Sequence, residues 1–157
     1  MGSFALIPQI VEAVKIPVIA AGGIAEGRGV AAALILGADA VQIGTAFLAC
    51  EESNASTTHK EKLFSDDARY TALTRAFSGR LARGIRNRFV NEMAIHSVAP
   101  YPIQNWLTGK LKTVAIQKQN AELMSLWSSQ AAPLLKYKGA KILFEKLVKE
   151  TDALLNL

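Results

Sequence analysis

The chain has 157 residues, of which 50% are hydrophobic and 20% are charged, and its formal net charge is +5 at pH 7. This apolar content excludes a disordered tail or a low-complexity linker. The charge favours anionic ligands but is too small to indicate nucleic-acid binding, and no apolar run reaches the roughly 20 residues of a membrane helix. With one cysteine and no signal-peptide pattern, we expect a cytoplasmic protein with no nucleic-acid or membrane partner.

The first fifty residues predict helices that alternate with short buried strands. Apolar residues recur at helical spacing in the helices, and each strand is an apolar run that glycine ends. In chain order the elements are a helix over 5–14, a strand over 16–21, a helix over 27–36 and a strand over 40–43. Two buried strands joined by a helix predict a parallel βαβ unit.

This short repeat fits one unit of a (β/α)₈ barrel, although a doubly wound parallel sheet stays open on the pattern alone. Parallel strands end at the same edge of a sheet, so Gly22-Gly23 and Gly44-Thr45 are predicted to be neighbours. Glycine lets backbone N–H groups approach a phosphate closely, and the Thr45 hydroxyl could add a donor. The alternative is that these glycines only form tight turns.

The remainder of the chain changes character after Cys50. Residues 51–58 are polar, and the sequence from His59 to Leu157 predicts mostly helix, with no strand alternation. An amphipathic helix near the C-terminus, with apolar residues from Ile142 to Leu155, is expected to pack on the barrel. The predicted domains are therefore a barrel portion over 1–50 and a helical region over 51–157 that packs on it.

No catalytic or metal-binding constellation is predicted. His59 stands in a polar stretch and is expected to be exposed, His96 has no ligand partner at metal spacing, and Cys50 is expected to be a buried apolar residue. Four arginines form a basic cluster that is either a solvated face or a wall facing an anion. They are Arg80, Arg83, Arg86 and Arg88.

Five segments resemble the nitronate monooxygenase family, which includes FMN-dependent enoyl-acyl-carrier-protein reductases. They are IPVIAAGGI at 16–24, GADAVQIGTAF at 37–47, SGRLARGIRNRF at 78–89, YPIQN at 101–105 and LWSSQ at 126–130. The resemblance covers nearly the whole chain. It implies an α/β fold, the C-terminal part of a TIM (β/α)₈ barrel with an appended, mostly helical region, and FMN bound without a covalent link.

The resemblance also implies which residues hold the cofactor. Gly23 matches the family glycine that contacts the FMN phosphate after the penultimate strand, with Gly22 beside it. The phosphate segment after the last strand matches four further residues. They are Gln42, Ile43, Gly44 and Thr45.

The implied activity is FMN-dependent oxidation of alkyl nitronates by oxygen, giving a carbonyl compound and nitrite. The family's catalytic histidine is expected upstream of this chain, so no catalytic residue is assigned within it. We therefore expect the C-terminal part of a longer protein, from a truncated or mis-started gene. Isolated, such a chain would need a partner, which a homo-oligomer could provide, or would aggregate. An enoyl-acyl-carrier-protein reductase and a catalytically inert fragment or interaction module are the alternatives.

Overall fold

The computed structural model describes residues 1–156 and divides into two compact units. The first unit contains residues 1–54 together with the C-terminal residues from 134 onward, and the second contains residues 55–133. This grouping differs from a division at residue 50, because the C-terminal helix packs against the second helix of the chain.

The first unit holds the βαβ arrangement that the sequence predicts. Its elements are α1 (Ser3–Ala13), β1 (Ile19–Ala21), α2 (Gly27–Ile35), β2 (Ala40–Gln42), α3 (Thr45–Leu48) and α8 (Ala140–Leu155). The strands pair in parallel, with Ile19 opposite Ala40 and Ala21 opposite Gln42. The predicted parallel unit and the predicted C-terminal helix are confirmed.

The strands are less buried than the sequence suggests. Ala20 is 5% exposed and packs with Ile7 of α1 and Ala33 of α2, whereas Ile19 is 62% exposed. A two-stranded sheet with helices on one side covers only that side. The expectation of fully buried strands is therefore wrong for the described residues.

Helix α8 approaches α2 very closely. A Cβ atom on Gly27 would lie 2.3 Å from the Cβ of Glu150, so only glycine fits at this position. The Gly27 N–H donates to the Glu150 carboxylate at 3.0 Å. Leu143 and Leu147 are buried on the inner face of α8, as its amphipathic pattern predicts.

The second unit contains a β-hairpin that the sequence did not reveal. Its elements are α4 (Thr57–Leu63), β3 (Thr71–Thr74), β4 (Ala82–Ile85), α5 (Arg88–Met93), α6 (Ile103–Leu107) and α7 (Gly109–Gln117), with short 3₁₀ turns at 66–69, 121–123 and 132–134. The strands are antiparallel, with Leu73 opposite Arg83. The expectation of no strand in this region is wrong, because neither TALT of β3 nor ARGI of β4 alternates polar and apolar residues and so neither shows a strand pattern.

Candidate functional site

The predicted glycines lie at one edge of the parallel sheet. Ala21 and Gln42, the last residues of β1 and β2, stand opposite each other. Gly22-Gly23 follows the end of β1 directly and Gly44-Thr45 follows the end of β2 after one residue, so both turns leave the sheet at the same edge. All of Gly22, Gly23 and Gly44 are exposed. The expectation that these turns are neighbours is confirmed.

The first glycine pair has an unusual backbone. Gly22 has φ +96° and Gly23 has φ +75°, which lie in the left-handed region that side chains disfavour. A Cβ built on either residue would meet nothing within 4 Å. The turn alone therefore explains glycine here, while the space beside both residues is open.

Gly44 is different, because no feature of the described residues requires a glycine. Its φ of −95° and ψ of −66° are right-handed helical values that any residue adopts. A Cβ here would also meet nothing within 4 Å. Among residues 1–156, the N–H groups of Gly23 and Gly44 donate to no other residue. The arrangement leaves room for an outside acceptor close to the backbone, so it fits a phosphate.

Residues around Gly44 divide between the two faces of the sheet. Ile43 is half-buried and lines an apolar groove of about 270 Å³ with Val41 of β2 and Phe144 of α8. Side chains alternate along a strand, so exposed Gln42 projects to the opposite face. Thr45 is half-buried at the start of α3. Ile43 can therefore offer only its backbone at the glycine edge.

A second cavity, of about 180 Å³, lies beside the first glycine pair. Gly22 and Gly23 line it together with apolar residues that include Phe4 of α1 and Ala33 of α2. None of its lining residues is charged. An anion bound in this cavity would therefore be held by backbone N–H groups, because the cavity wall contains no cationic side chain.

His59 does not lie where the sequence suggests. It is 8% exposed, and its Nε2 stands 2.9 Å from the carbonyl oxygen of Trp127. A carbonyl only accepts, so Nε2 is the protonated nitrogen. Burial lowers the pKa of His59. The prediction of an exposed histidine is wrong, since α4 turns this side chain inward.

Cys50 and His96 lie in contrasting environments. Cys50 is buried, as predicted, and its thiol contacts the Ala46 carbonyl at 3.3 Å. His96 is exposed. Residues 1–156 contain no cluster of three metal-ligating side chains, and none of their helices has the length and apolarity to cross a membrane.

The four arginines have four different partners, and the structure gives them no common one. Arg80 stacks on the Tyr101 ring, with its guanidinium carbon 4.3 Å from the ring centre. Each of the others donates to a nearby side chain. The distances are 3.0 Å for Arg83 to Thr71, 3.3 Å for Arg86 to Asn91 and 2.7 Å for Arg88 to Glu92.

Comparison with known proteins identifies the family. The family model described as nitronate monooxygenase matches residues 1–150. The chain belongs to the nitronate monooxygenase family. Proteins named probable nitronate monooxygenase in Staphylococcus aureus strains Newman and USA300 are 42% identical over 157 residues, which is 99% of this chain and 44% of theirs. The chain thus spans less than half the length of the curated relatives it matches.

Solved structures of the same architecture match the whole fold. Nitroalkane oxidase from Streptomyces ansochromogenes has a TM-score of 0.96 at 42% identity, covering 99% of this chain and 45% of its own. FabK from Thermotoga maritima has a TM-score of 0.82 at 36% identity, covering 99% and 50%. These neighbours are TIM-barrel proteins, which confirms part of a (β/α)₈ barrel with an appended, mostly helical region as the fold class.

Proposed function

We propose that this chain forms the FMN-phosphate edge of a nitronate monooxygenase, which oxidises alkyl nitronates with oxygen to a carbonyl compound and nitrite. Gly44 is the observation that carries the proposal. Neither the backbone conformation nor the packing of the described residues requires a glycine at this position. The residue lies at the edge of the sheet where the family resemblance expects a phosphate. Membership of the nitronate monooxygenase family supports the choice of reaction.

In this proposal the chain binds and orients the cofactor. The N–H groups of Gly22, Gly23 and Gly44 donate to phosphate oxygens, and the Thr45 hydroxyl adds a further donor. Such charge-assisted hydrogen bonds are stronger than neutral ones. The flavin, when bound, supplies the electron transfer between nitronate and oxygen. Gln42, on the face opposite the apolar groove, contributes a polar side chain to the same segment.

The proposal assigns no proton-transfer role to this chain. Histidine is the usual general base near neutral pH, and the sequence has only His59 and His96. His59 is buried with Nε2 engaged by a backbone carbonyl, and the exposed side chain of His96 has no partner among residues 1–156 that would orient it. We propose that the base is supplied from outside these 157 residues.

An enoyl-acyl-carrier-protein reductase is the second candidate. FabK from Thermotoga maritima supports it with 36% identity and a TM-score of 0.82. The nitroalkane oxidase is closer, with 42% identity and a TM-score of 0.96. This difference favours the nitronate reaction. An inert fragment or interaction module is the third candidate, and exposed apolar residues such as Ile16 and Ile35 favour it.

The first test compares FMN with riboflavin, which lacks the phosphate. The whole chain is titrated with each, and flavin fluorescence is recorded. We expect FMN to bind at least about tenfold more tightly, because one hydrogen bond to a charged group contributes about 1.5–3 kcal/mol. Equal affinities would contradict a phosphate site. Failure of both to bind would favour the inert module.

The second test places a side chain in the proposed phosphate position. Gly44→Val should lower FMN affinity at least about tenfold, and Thr45→Val should lower it modestly by removing one hydroxyl. Gly109→Val is the matched control, because a Cβ there also meets nothing within 4 Å and the residue begins α7 in the second unit. Unchanged FMN affinity in Gly44→Val would exclude this assignment.

A further inference from the structure

A cavity in the second unit combines apolar walls with two arginines. Its volume is about 300 Å³, and it lies between β3, the residues flanking β4, and α5. Arg75 and Arg86 provide the positive charge. The apolar lining includes Leu73, Leu81, Val90, Met93 and Val98. All of these residues belong to residues 55–133, so the cavity shares no residue with the glycine edge.

Neither arginine of this cavity is neutralised by an acidic side chain. Arg75 donates from Nη1 to the carbonyl oxygen of Gly79 at 3.2 Å, and Arg86 donates from Nε to the Oδ1 of Asn91 at 3.3 Å. Both acceptors are uncharged, and no carboxylate oxygen of residues 1–156 lies within the 4.0 Å of an ion pair from either guanidinium. The cavity lining contains no aspartate or glutamate.

Two other arginines of the same unit do form ion pairs with acidic side chains. Arg69 pairs with Asp66 at 3.4 Å, and Arg88 pairs with Glu92 at 2.7 Å. The two cavity arginines thus keep unpaired charge beside an apolar surface. Because guanidinium groups have several donors in a planar fork, they retain donors for a second acceptor after one bond.

Two leucines at this cavity are unusually accessible. Leu73 and Leu81 are each 55% exposed, although both have large apolar side chains. Covering apolar surface is favourable by about 25 cal/mol per Å². A ligand with an alkyl part would cover them, while its charged end would lie against the arginines.

We propose that this cavity binds a short-chain alkyl carboxylate. A carboxylate matches the planar donor fork of arginine and can accept two parallel hydrogen bonds. The volume is at the lower end of the roughly 300–1,000 Å³ of small-molecule sites, which limits the alkyl part to a short chain. The inference does not depend on flavin binding, because it uses other residues in the other unit.

Calorimetric titration of the whole chain with hexanoate tests the proposal. We expect binding that weakens about fourfold for each methylene removed on passing from hexanoate to butyrate, since a buried methylene contributes about 0.8 kcal/mol. Hexanol and hexylammonium should bind at least about tenfold more weakly, because they lack the anion. No hexanoate binding, or equal affinity for acetate and hexanoate, would overturn the proposal.

Variants of the arginines locate the site. Arg75→Gln and Arg86→Gln should each lower hexanoate affinity at least about tenfold. Arg80→Gln is the matched control, because Arg80 is an exposed arginine of the same unit that does not line the cavity, and it should leave the affinity unchanged. Circular dichroism confirms that each variant is folded. Wild-type affinity in both cavity variants would overturn the site.

Discussion

Gly44 in the first unit and Gly79 in the second are glycines for opposite reasons. Gly79 has φ +82°, and a Cβ there would lie 2.6 Å from the carbonyl oxygen of Ala99 and 2.6 Å from the backbone nitrogen of Tyr101. Gly44 has helical dihedral angles and no neighbour within 4 Å of a Cβ. The fold requires glycine at position 79, whereas at Gly44 it does not, and Gly44 stands at the edge of the sheet where the family resemblance expects a phosphate.

Polar side chains of the second unit are likewise used inside the fold. Asn87, Gln104 and Thr108 are buried, and each donates to a backbone carbonyl, at 2.8, 2.7 and 2.6 Å respectively. No buried side-chain nitrogen or oxygen lacks a partner among the described residues. These residues tie loops to helices. The second unit therefore has polar contacts that stabilise it, while the glycine edge of the first unit has donors that face outward.

The largest expected effect on the free energy of unfolding is at Gly79, where the fold requires glycine. Gly79→Ala should lower the free energy of unfolding by about 3 kcal/mol or more, because the new methyl overlaps backbone atoms and the left-handed φ adds strain. Urea denaturation measures the loss. Gly109→Ala is the control, and should be neutral or stabilising by up to about 1 kcal/mol because alanine favours helix. A wild-type midpoint for Gly79→Ala would contradict the packing explanation.

The next effect concerns Asn87, which joins three backbone groups. Its amide donates to the carbonyls of Ala121 and Met124 at 2.8 Å, and its oxygen accepts from the Val90 N–H at 3.1 Å. Asn87→Ala leaves these groups unpaired and should lower the free energy of unfolding by about 2–4 kcal/mol. Exposed Asn91 is the comparison, and Asn91→Ala should change the free energy of unfolding by under about 0.5 kcal/mol. Similar losses in both variants would contradict this account of Asn87.

Features that depend on local sequence pattern could be predicted from the sequence, whereas features that depend on contacts between distant residues could not. The βαβ unit was predictable, because apolar runs ended by glycine depend on local pattern. The hairpin was not, since Gly84 of β4 is fixed by contact with Leu126, whose carbonyl oxygen would lie 2.8 Å from a Cβ at that position. His59 was misplaced for the same reason, as its partner Trp127 is 68 residues away.

The candidate site shows the same limit. The placement of the two glycine turns at one edge followed from the strand ends, because parallel strands end at the same edge of a sheet. The role of Ile43 did not, since the groove that receives its side chain is completed by Phe144 of α8, about a hundred residues further along the chain. The local sequence pattern predicted which edge of the sheet carries the candidate site. Only the tertiary structure showed which residues can offer a side chain there and which can offer only their backbone.

His59 should make the stability of the second unit depend on pH. Burial lowers its pKa from the usual 6.5, so below that pH the unfolded chain binds more protons than the folded one. The free energy of unfolding should therefore fall as pH decreases through 6.5 towards the lowered pKa.

Urea denaturation at about pH 7.5 and about pH 5.5, on either side of the ordinary histidine pKa, measures this dependence. His59→Gln, which can keep a donor towards Trp127, should reduce the difference between the two conditions. His96→Gln is the control, because His96 is exposed and should leave the difference unchanged. An undiminished pH dependence in His59→Gln would assign the effect to other groups.

The smallest expected effect on the free energy of unfolding is at Gly44. This measurement separates a glycine that the fold requires from one that leaves room for a ligand. Gly44→Ala should change the free energy of unfolding by under about 0.5 kcal/mol or raise it slightly, because alanine fits the backbone and reduces the freedom of the unfolded chain. Gly23→Ala should cost about 1–2 kcal/mol, since its φ of +75° is left-handed. Both should weaken FMN binding in the fluorescence titration. A folding loss in Gly44→Ala as large as that of Gly79→Ala would mean that the residue serves the fold, and would remove the reason for placing a phosphate beside it.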